Sequence, residues 1–181
     1  HVTTGRLEKS DSTKEEQIEY LEKLNTQIKK AAKGLNGEAI QLNYISSNMP
    51  FLDEFIEYLI QFIKHNEVDL VVTHNSGTLH DRHYYTYDGV TKAVLQLQKE
   101  GYKIDLLYGE NLEDLVHFSP TLYVELNDDE VRQWFDALGN YDVFKGIVNS
   151  VPYLDYYTTM GRVRGLESGS SKFIKAYMHG P

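Results

Sequence analysis

The sequence predicts an α/β fold, a three-layer α/β sandwich with a mostly parallel sheet. Two observations predict it. Strand-like and helix-like segments alternate along the chain. The former are short and apolar or alternate apolar with polar residues, and in the latter the apolar side chains recur at helical spacing. One strand-like run, Asp69–Thr73, is short and rich in β-branched residues, as is typical of a strand that a parallel sheet buries on both faces.

The first half of the chain contains two predicted helices with one strand between them. Ser12 and Glu15 have the spacing of a capping box, which predicts the start of a helix over 13–33. Residues 39–44 alternate apolar and polar side chains, as a half-buried strand does. Pro50 predicts the start of a second helix, which is apolar on more than one side, so we expect it to be deeply buried.

The second half continues the alternation of strands and helices. After the strand at 69–73 comes a polar loop over 74–85, and a helix whose apolar face begins at Val90 leads to a strand at 104–108. The remaining predicted elements are a strand at 121–126, a helix from Asn127 or Asp128 to Gly139, a helix at about 151–164 and a terminal strand at 173–177.

The composition fits one soluble domain and excludes several functions. The 181 residues are 41% hydrophobic, which is enough for a buried core and predicts a single domain over 1–181. The 18 basic and 27 acidic side chains give a net charge of −9, which disfavours nucleic acid and anionic membranes as partners. We expect no membrane span and, by default, a cytoplasmic location. We also expect a small-molecule partner, and a homo-oligomer is possible on this sequence. Without cysteines, only histidine, carboxylate and hydroxyl chemistry remains.

The polar loop after the strand at 69–73 is the best candidate for an active site. Ligands of such sheets bind outside the carboxyl ends of the strands, where this loop lies. Within ten residues it contains His74, His80, Asp81, Arg82 and His83. Neutral imidazoles are good zinc ligands, and the spacing of His80 and His83 lets both face one point if a helix begins there. By spacing alone, histidines that cap the next helix or bond to backbone are an equal alternative.

Motifs of other enzyme classes do not occur. No G-x-G-x-x-G follows a strand, no G-x-S-x-G elbow is present, and the glycine spacing in Gly165–Lys172 is wrong for a phosphate loop. Tyr84, Tyr85 and Tyr87 flank the histidines. Aromatic walls suit a sugar or acyl pocket, although most tyrosines of an α/β domain serve packing.

Three motifs, taken in order, carry a resemblance to a known family. They are Asp69-x-Val71-Val72-Thr73-His74, then His80-x-x-His83-x-x-Thr86, then Arg164-Gly165-x-x-x-Gly169 ahead of an aromatic strand. This order and spacing resemble the PIG-L / LmbE-like family of metal-dependent N-deacetylases, which have a Rossmann-like fold. The opening Val2-Thr3-Thr4-Gly5 is similar to the family's second strand and turn, so the resemblance covers nearly the whole chain.

The resemblance implies a zinc-dependent hydrolase, with another divalent metal as an alternative, that removes an acetyl group from an N-acetylated amino sugar or related amide. His83 would be a metal ligand, and His80 would steady charge on the reacting carbonyl or donate a proton. Arg82 stands where the family has an aspartate, so either Asp81 would take over the orienting role or the site would be altered. Arg82 and Tyr85 are the candidates for binding substrate.

One family segment has no counterpart in this sequence. The family's first strand ends in His-Pro-Asp-Asp, which supplies two metal ligands and the general base, and no such segment occurs here. Because one ligand does not hold a catalytic zinc, we expect either a segment of roughly 10 to 40 residues upstream or another segment that fills the gap in the sheet. Lys175 also stands where the family has a glutamate. Because of the changes at Arg82 and Lys175, a catalytically inactive carbohydrate- or nucleotide-sugar-binding domain is the alternative to the hydrolase. A plain interaction module without a small-molecule site is a third hypothesis. It requires the side chains of His80 and His83 to be solvent-exposed and distant from each other.

Overall fold

The computed structural model describes residues 1–3, 12–45, 48–148 and 150–181. Within these residues the chain forms α1 Lys14–Gly34, α2 Leu52–His65, β1 Leu70–Thr73, α3 Asp81–Lys99, β2 Asp105–Gly109, β3 Leu122–Leu126, α4 Asp128–Leu138, α5 Tyr153–Ser168 and β4 Phe173–His179. Among the residues described, none of these helices combines the length and apolar character that a bilayer crossing requires.

The chain divides into two compact units. The first comprises His1–Ser47 with Glu125–Phe173, and the second comprises Asn48–Val124 with Ile174–Pro181. The single domain over 1–181 stays a prediction.

The sheet is mixed, with the strand order β1-β2-β4-β3. β1 and β2 are parallel, with Leu70 opposite Asp105. β4 runs antiparallel to β2, with Gly109 opposite Tyr177. The prediction of an α/β fold is therefore confirmed, but the prediction of a mostly parallel sheet was wrong, because the terminal strand enters beside β2 in the opposite direction. The number of layers stays a prediction.

The core of the second unit lies where α2 and α3 meet β1 and β2. Phe55 of α2 is fully buried, and a Cβ at Gly89 of α3 would lie 2.5 Å from its ring. The two helices can approach this closely only because Gly89 has no side chain. The deep burial predicted for α2 was wrong in one respect: the helix buries one face, whereas Phe51 and Tyr58 are exposed.

Strand β1 is half exposed, which differs from the expected burial on both faces. Val71 packs against the core, whereas the side chains of Leu70 and Val72 are 47% and 51% exposed. Successive side chains of a strand point to opposite faces, so one face of β1 is covered and the other is not. The strand lies at the edge of the sheet. Its carboxyl end leads directly into the polar loop that begins at His74, called the histidine loop below.

In the first unit, α1 packs against α4. The capping box of α1 lies one residue later than predicted: Thr13 Oγ1 accepts the backbone N–H of Glu16, whose carboxylate accepts the N–H of Thr13. Asn127 caps α4, as predicted. At the contact of the two helices, a Cβ at Gly34 would lie 3.1 Å from Ala137 Cβ.

The predicted strand at 39–44 forms only part of a ladder. An isolated parallel bridge joins Thr3 to Tyr44, and the N–H of Leu42 donates to the carbonyl of His1. The turn predicted at Thr4 and Gly5 lies outside the described residues.

Candidate functional site

The candidate site lies at the carboxyl ends of β1 and β2, where two loops are joined by hydrogen bonds. The buried side chain of Asn75, just after β1, donates from Nδ2 to the backbone carbonyls of Asp114 and Val116, at 3.1 and 2.9 Å. The N–H of Val116 donates to the carbonyl of Gly77 at 3.2 Å. A Cβ at Gly77 would collide with that same backbone, so the contact needs a glycine. These bonds place Asp114 beneath the histidine loop.

Asp114 is the electrostatic centre of the site. Its carboxylate is fully buried and accepts hydrogen bonds from His74 Nδ1 at 2.7 Å and from His83 Nδ1 at 3.0 Å. Asn111 Nδ2 donates to it at 3.2 Å. Burial by itself would raise the pKa of Asp114, but the hydrogen bonds from His74, His83 and Thr78 outweigh it and hold that pKa far below its usual range. Asp114 is therefore a carboxylate at any pH at which the protein would work.

The two hydrogen bonds to Asp114 fix the tautomer of both imidazoles. A carboxylate only accepts hydrogen bonds, so Nδ1 of both His74 and His83 carries the proton. In a neutral imidazole the lone pair is then on Nε2, which points away from Asp114. The two rings stack, with centroids 4.1 Å apart and an angle of 13° between their planes.

A second carboxylate faces the other side of His83. His83 lies in the first turn of α3, and His80 is the residue that precedes the helix. Glu113 Oε1 lies 3.4 Å from His80 Nε2, and Glu113 Oε2 lies 3.8 Å from His83 Nε2. The rings of His80 and His83 are 5.1 Å apart between centroids, so the two histidines are not apart as the interaction-module reading requires.

The other predicted site residues occupy the start of α3. Asp81 and Arg82 are exposed in its first turn, and the backbone carbonyl of Arg82 accepts the hydroxyl of Thr86 at 2.9 Å. Tyr85 donates from its hydroxyl to the carbonyl of Pro50, and its ring stacks on Phe55. Tyr85 thus ties α3 to α2. The carboxylate that orients His83 is Asp114, and the roles of Asp81, Arg82 and Tyr85 towards a substrate stay predictions.

Sequence reasoning missed Asp114, Glu113 and Asn75, and it gave His74 no role. A signal was present: Asn111, Glu113 and Asp114 follow β2 as the histidine loop follows β1. The carboxyl ends of adjacent parallel strands lie at one edge of a sheet, so polar residues after both strands meet there.

Three of these residues fit a divalent metal. His74, His83 and Asp114 each offer a ligand atom, and these atoms all lie within 4.8 Å of one another. Two imidazoles and a carboxylate are donor types that catalytic zinc sites use. The segment therefore holds more potential ligands than the single His83 expected from sequence.

Lys175 lies on β4, which pairs with β2. Burial lowers the pKa of its ammonium group, and the nearby buried carboxylate of Glu110, directly after β2, opposes that shift. Lys175 thus brings a partly buried positive charge close to a carboxylate at this end of β2.

The fold is similar to that of several solved enzymes. A deacetylase of the teicoplanin biosynthesis pathway has a TM-score of 0.67 and 14% identity over 89% of this chain and 74% of its own. The N,N'-diacetylchitobiose deacetylase of Pyrococcus horikoshii has a TM-score of 0.70 and 15% identity over 99% and 71%. The 4-carboxy-2-hydroxymuconate hydratase GalB of Pseudomonas putida has a TM-score of 0.75 and 12% identity over 96% and 77%.

The sequence matches no family model and no curated protein. The structural matches confirm the predicted resemblance at the level of the fold, which this chain shares with deacetylases. Because a hydratase has the same fold, the fold alone does not decide the reaction, and the function has to be argued from the site.

Proposed function

We propose that the protein is a metal-dependent amide hydrolase that removes an acetyl group from an N-acetylated amino sugar or a related amide. The observation that carries the proposal is that His74 and His83 lie together at the carboxyl ends of β1 and β2, with Nδ1 of each hydrogen-bonded to the buried carboxylate of Asp114. Two solved enzymes of the same fold are named as deacetylases, one of them for N,N'-diacetylchitobiose.

The metal, zinc in the first instance, would be held at His83. A bound zinc ion polarises a carbonyl oxygen and makes water a nucleophile near neutral pH. The contribution of the protein is to fix the imidazole: His83 Nδ1–H donates a hydrogen bond to Asp114, which sets the tautomer and orientation of the ring. Stacking of His74 on the same ring limits its rotation.

His80 is the proposed catalytic residue on the exposed side of the site. It stands at the amino-terminal end of α3, where the helix dipole contributes partial positive charge. As an imidazolium it would steady the charge that develops on the carbonyl oxygen, or would give a proton to the departing amine. Glu113 Oε1 lies 3.4 Å from His80 Nε2, on the side of the ring away from the helix.

Asp81, Arg82 and Tyr85 are the proposed contacts to substrate and to the catalytic groups. Asp81 and Arg82 present charged groups to solvent from the turn that carries His83, and both suit hydrogen bonds to sugar hydroxyls. Because the hydroxyl of Tyr85 donates to Pro50, its ring edge is the part that would meet a substrate. Tyr84 adds an exposed aromatic surface to the same helix.

A second candidate is a binding domain of the same fold without catalysis. The partly buried Lys175 favours it, because a cation near this end of the sheet would oppose a metal and attract an anionic group. In that case sugar binding would persist unchanged in a chelator.

Acetate release from N,N'-diacetylchitobiose and N-acetylglucosamine, followed before and after chelation, separates the two candidates. We expect release that stops on removal of the metal and returns when zinc is added. Sugar binding without acetate release at any zinc concentration would contradict the hydrolase and support the binding domain.

A further inference from the structure

An exposed aromatic ring lies beside His80. The N–H of Tyr84 donates to the carbonyl of His80 at 3.0 Å, so Tyr84 stands one helical turn after His80 at the start of α3. Side chains on a helix lean towards its amino-terminal end, so the ring of Tyr84 covers the surface next to His80. Both face solvent, because the side chain of His80 is 45% exposed and Tyr84 is 51% exposed. A substrate at His80 therefore has this ring within reach.

The three tyrosines that follow His83 differ in their surroundings. Tyr85 faces α2, where its ring stacks on that of Phe55. Tyr87 packs against the core of the second unit. The ring of Tyr84 lies 5.7 Å from that of Tyr87 between centroids, at an angle of 48°. Tyr87 thus supports the ring of Tyr84 from the inside, and a ring held in this way loses little conformational freedom when a ligand covers its outer side.

This surface suits a sugar in both chemistry and size. A pyranose ring has C–H groups on its faces and hydroxyls around its rim, and tyrosine likewise joins an apolar ring to a polar tip. Leu79, directly before His80, is 88% exposed and adds apolar surface next to the same histidine. One helical turn rises about 5.4 Å, which is close to the length of one sugar residue in a chain. The step from His80 to Tyr84 therefore corresponds to one sugar unit.

Resting on the sugar substrate of the proposed function, we propose that Tyr84 is a specificity-determining residue that stacks on a second sugar ring of the substrate. The N-acetylated unit lies at His80 and His83, and the neighbouring unit covers the ring of Tyr84. The preferred substrate is then a disaccharide or a longer chain, because a monosaccharide leaves the Tyr84 surface uncovered. Since Tyr84 does not meet the reacting amide, it contributes to binding and not to the chemical step.

The test compares N,N'-diacetylchitobiose with N-acetylglucosamine. Isothermal titration calorimetry in the presence of a chelator gives the dissociation constant of each sugar, and acetate release with zinc gives kcat and KM. Tyr84→Ala removes the ring, whereas Tyr84→Phe keeps it. Tyr102→Ala is the matched control, because Tyr102 is 46% exposed beyond the other end of α3. Circular dichroism and the midpoint of urea unfolding show whether each variant is folded.

Wild type should bind the disaccharide roughly 2- to 10-fold more tightly than the monosaccharide, which is the range that stacking of one aromatic ring provides. Tyr84→Ala should remove this difference and leave the monosaccharide unchanged. In turnover it should raise KM for the disaccharide by the same factor and leave kcat unchanged, because the contact is made equally in the ground state and the transition state. Tyr84→Phe and Tyr102→Ala should both behave as wild type.

The proposal would be overturned by a disaccharide preference that survives Tyr84→Ala, by equal loss of both sugars in that variant, or by the lack of any preference in wild type. A preference that depends on Tyr84, without acetate release from either sugar, would contradict the hydrolase and leave the role of Tyr84 standing. Acetate release without a role of Tyr84 would do the opposite.

Discussion

The imidazole rings of His74 and His83 lie nearly parallel, 4.1 Å apart between centroids, and both donate to one buried carboxylate. His74 follows β1 and His83 lies in the first turn of α3, while the carboxylate of Asp114 belongs to the loop after β2. One ionised side chain thus joins three segments of the second unit. The stability of the unit and the geometry of the site should therefore depend on the same group.

Asp114→Ala should destabilise the protein strongly. It removes hydrogen bonds from two imidazoles to a buried charge, and each bond to a charged group is worth about 1.5 to 3 kcal/mol. We expect the free energy of unfolding to fall by about 3 kcal/mol in urea denaturation, since part of the loss is recovered by solvent. Asp88→Asn, which breaks a surface pair with Lys92 on α3, is the control and should unfold close to wild type. Equal stability of the two variants would contradict the central role of Asp114.

Asn75→Ala should reduce both stability and activity. The substitution leaves the carbonyls of Asp114 and Val116 without their side-chain donor in a buried place, at a cost of about 2 kcal/mol. Because the loop that holds Asp114 is then less constrained, we expect kcat to fall while the Michaelis constant changes little. Urea denaturation and steady-state kinetics measure the two effects. Unchanged kcat in a folded variant would show that the position of Asp114 does not depend on Asn75.

Asp142 should make stability depend on pH in the first unit. The hydrogen bond from Lys23, at 2.7 Å between Nζ and Oδ2, lowers the pKa of Asp142 in the folded state. A group with a lowered folded pKa stabilises the protein above its unfolded pKa, about 3.9, and loses that contribution as pH falls through the folded value.

Asp142→Asn should therefore be less stable than wild type at pH 7, and the difference should shrink as pH falls below about 4. Thermal unfolding of both proteins across this range measures it. A difference that stays constant between pH 7 and pH 3 would exclude an electrostatic origin.

The helices and the loop of the site were predictable, because apolar spacing and caps are local signals. The cap of α4 at Asn127 and the site after β1 follow from such signals. The direction of β4 does not follow from local signals. A terminal strand can join a sheet parallel or antiparallel to its neighbour, and its own residues show the same pattern in either case. Residues 39–44 have strand-like alternation, but only Tyr44 forms a bridge, since pairing needs a partner that the local sequence does not specify.

The candidate site was predictable only in part, for a related reason. His80 and His83 share a motif and a helix start, so spacing indicates them. Asp114 meets His83 only because β1 and β2 are neighbours, and Glu113 lies next to it for the same reason. Once the parallel pair is known, the polar residues after its two strands are the ones to examine first.

The most direct test of the account is the effect of His83→Ala on zinc content and acetate release, with His65→Ala as the matched control at the exposed end of α2. We predict that wild type and His65→Ala bind zinc stoichiometrically and release acetate from an N-acetylated amino sugar. His83→Ala should remain folded, lose its zinc and release no acetate. Unchanged zinc content and unchanged acetate release in His83→Ala would contradict the central claim that His83 holds a catalytic metal.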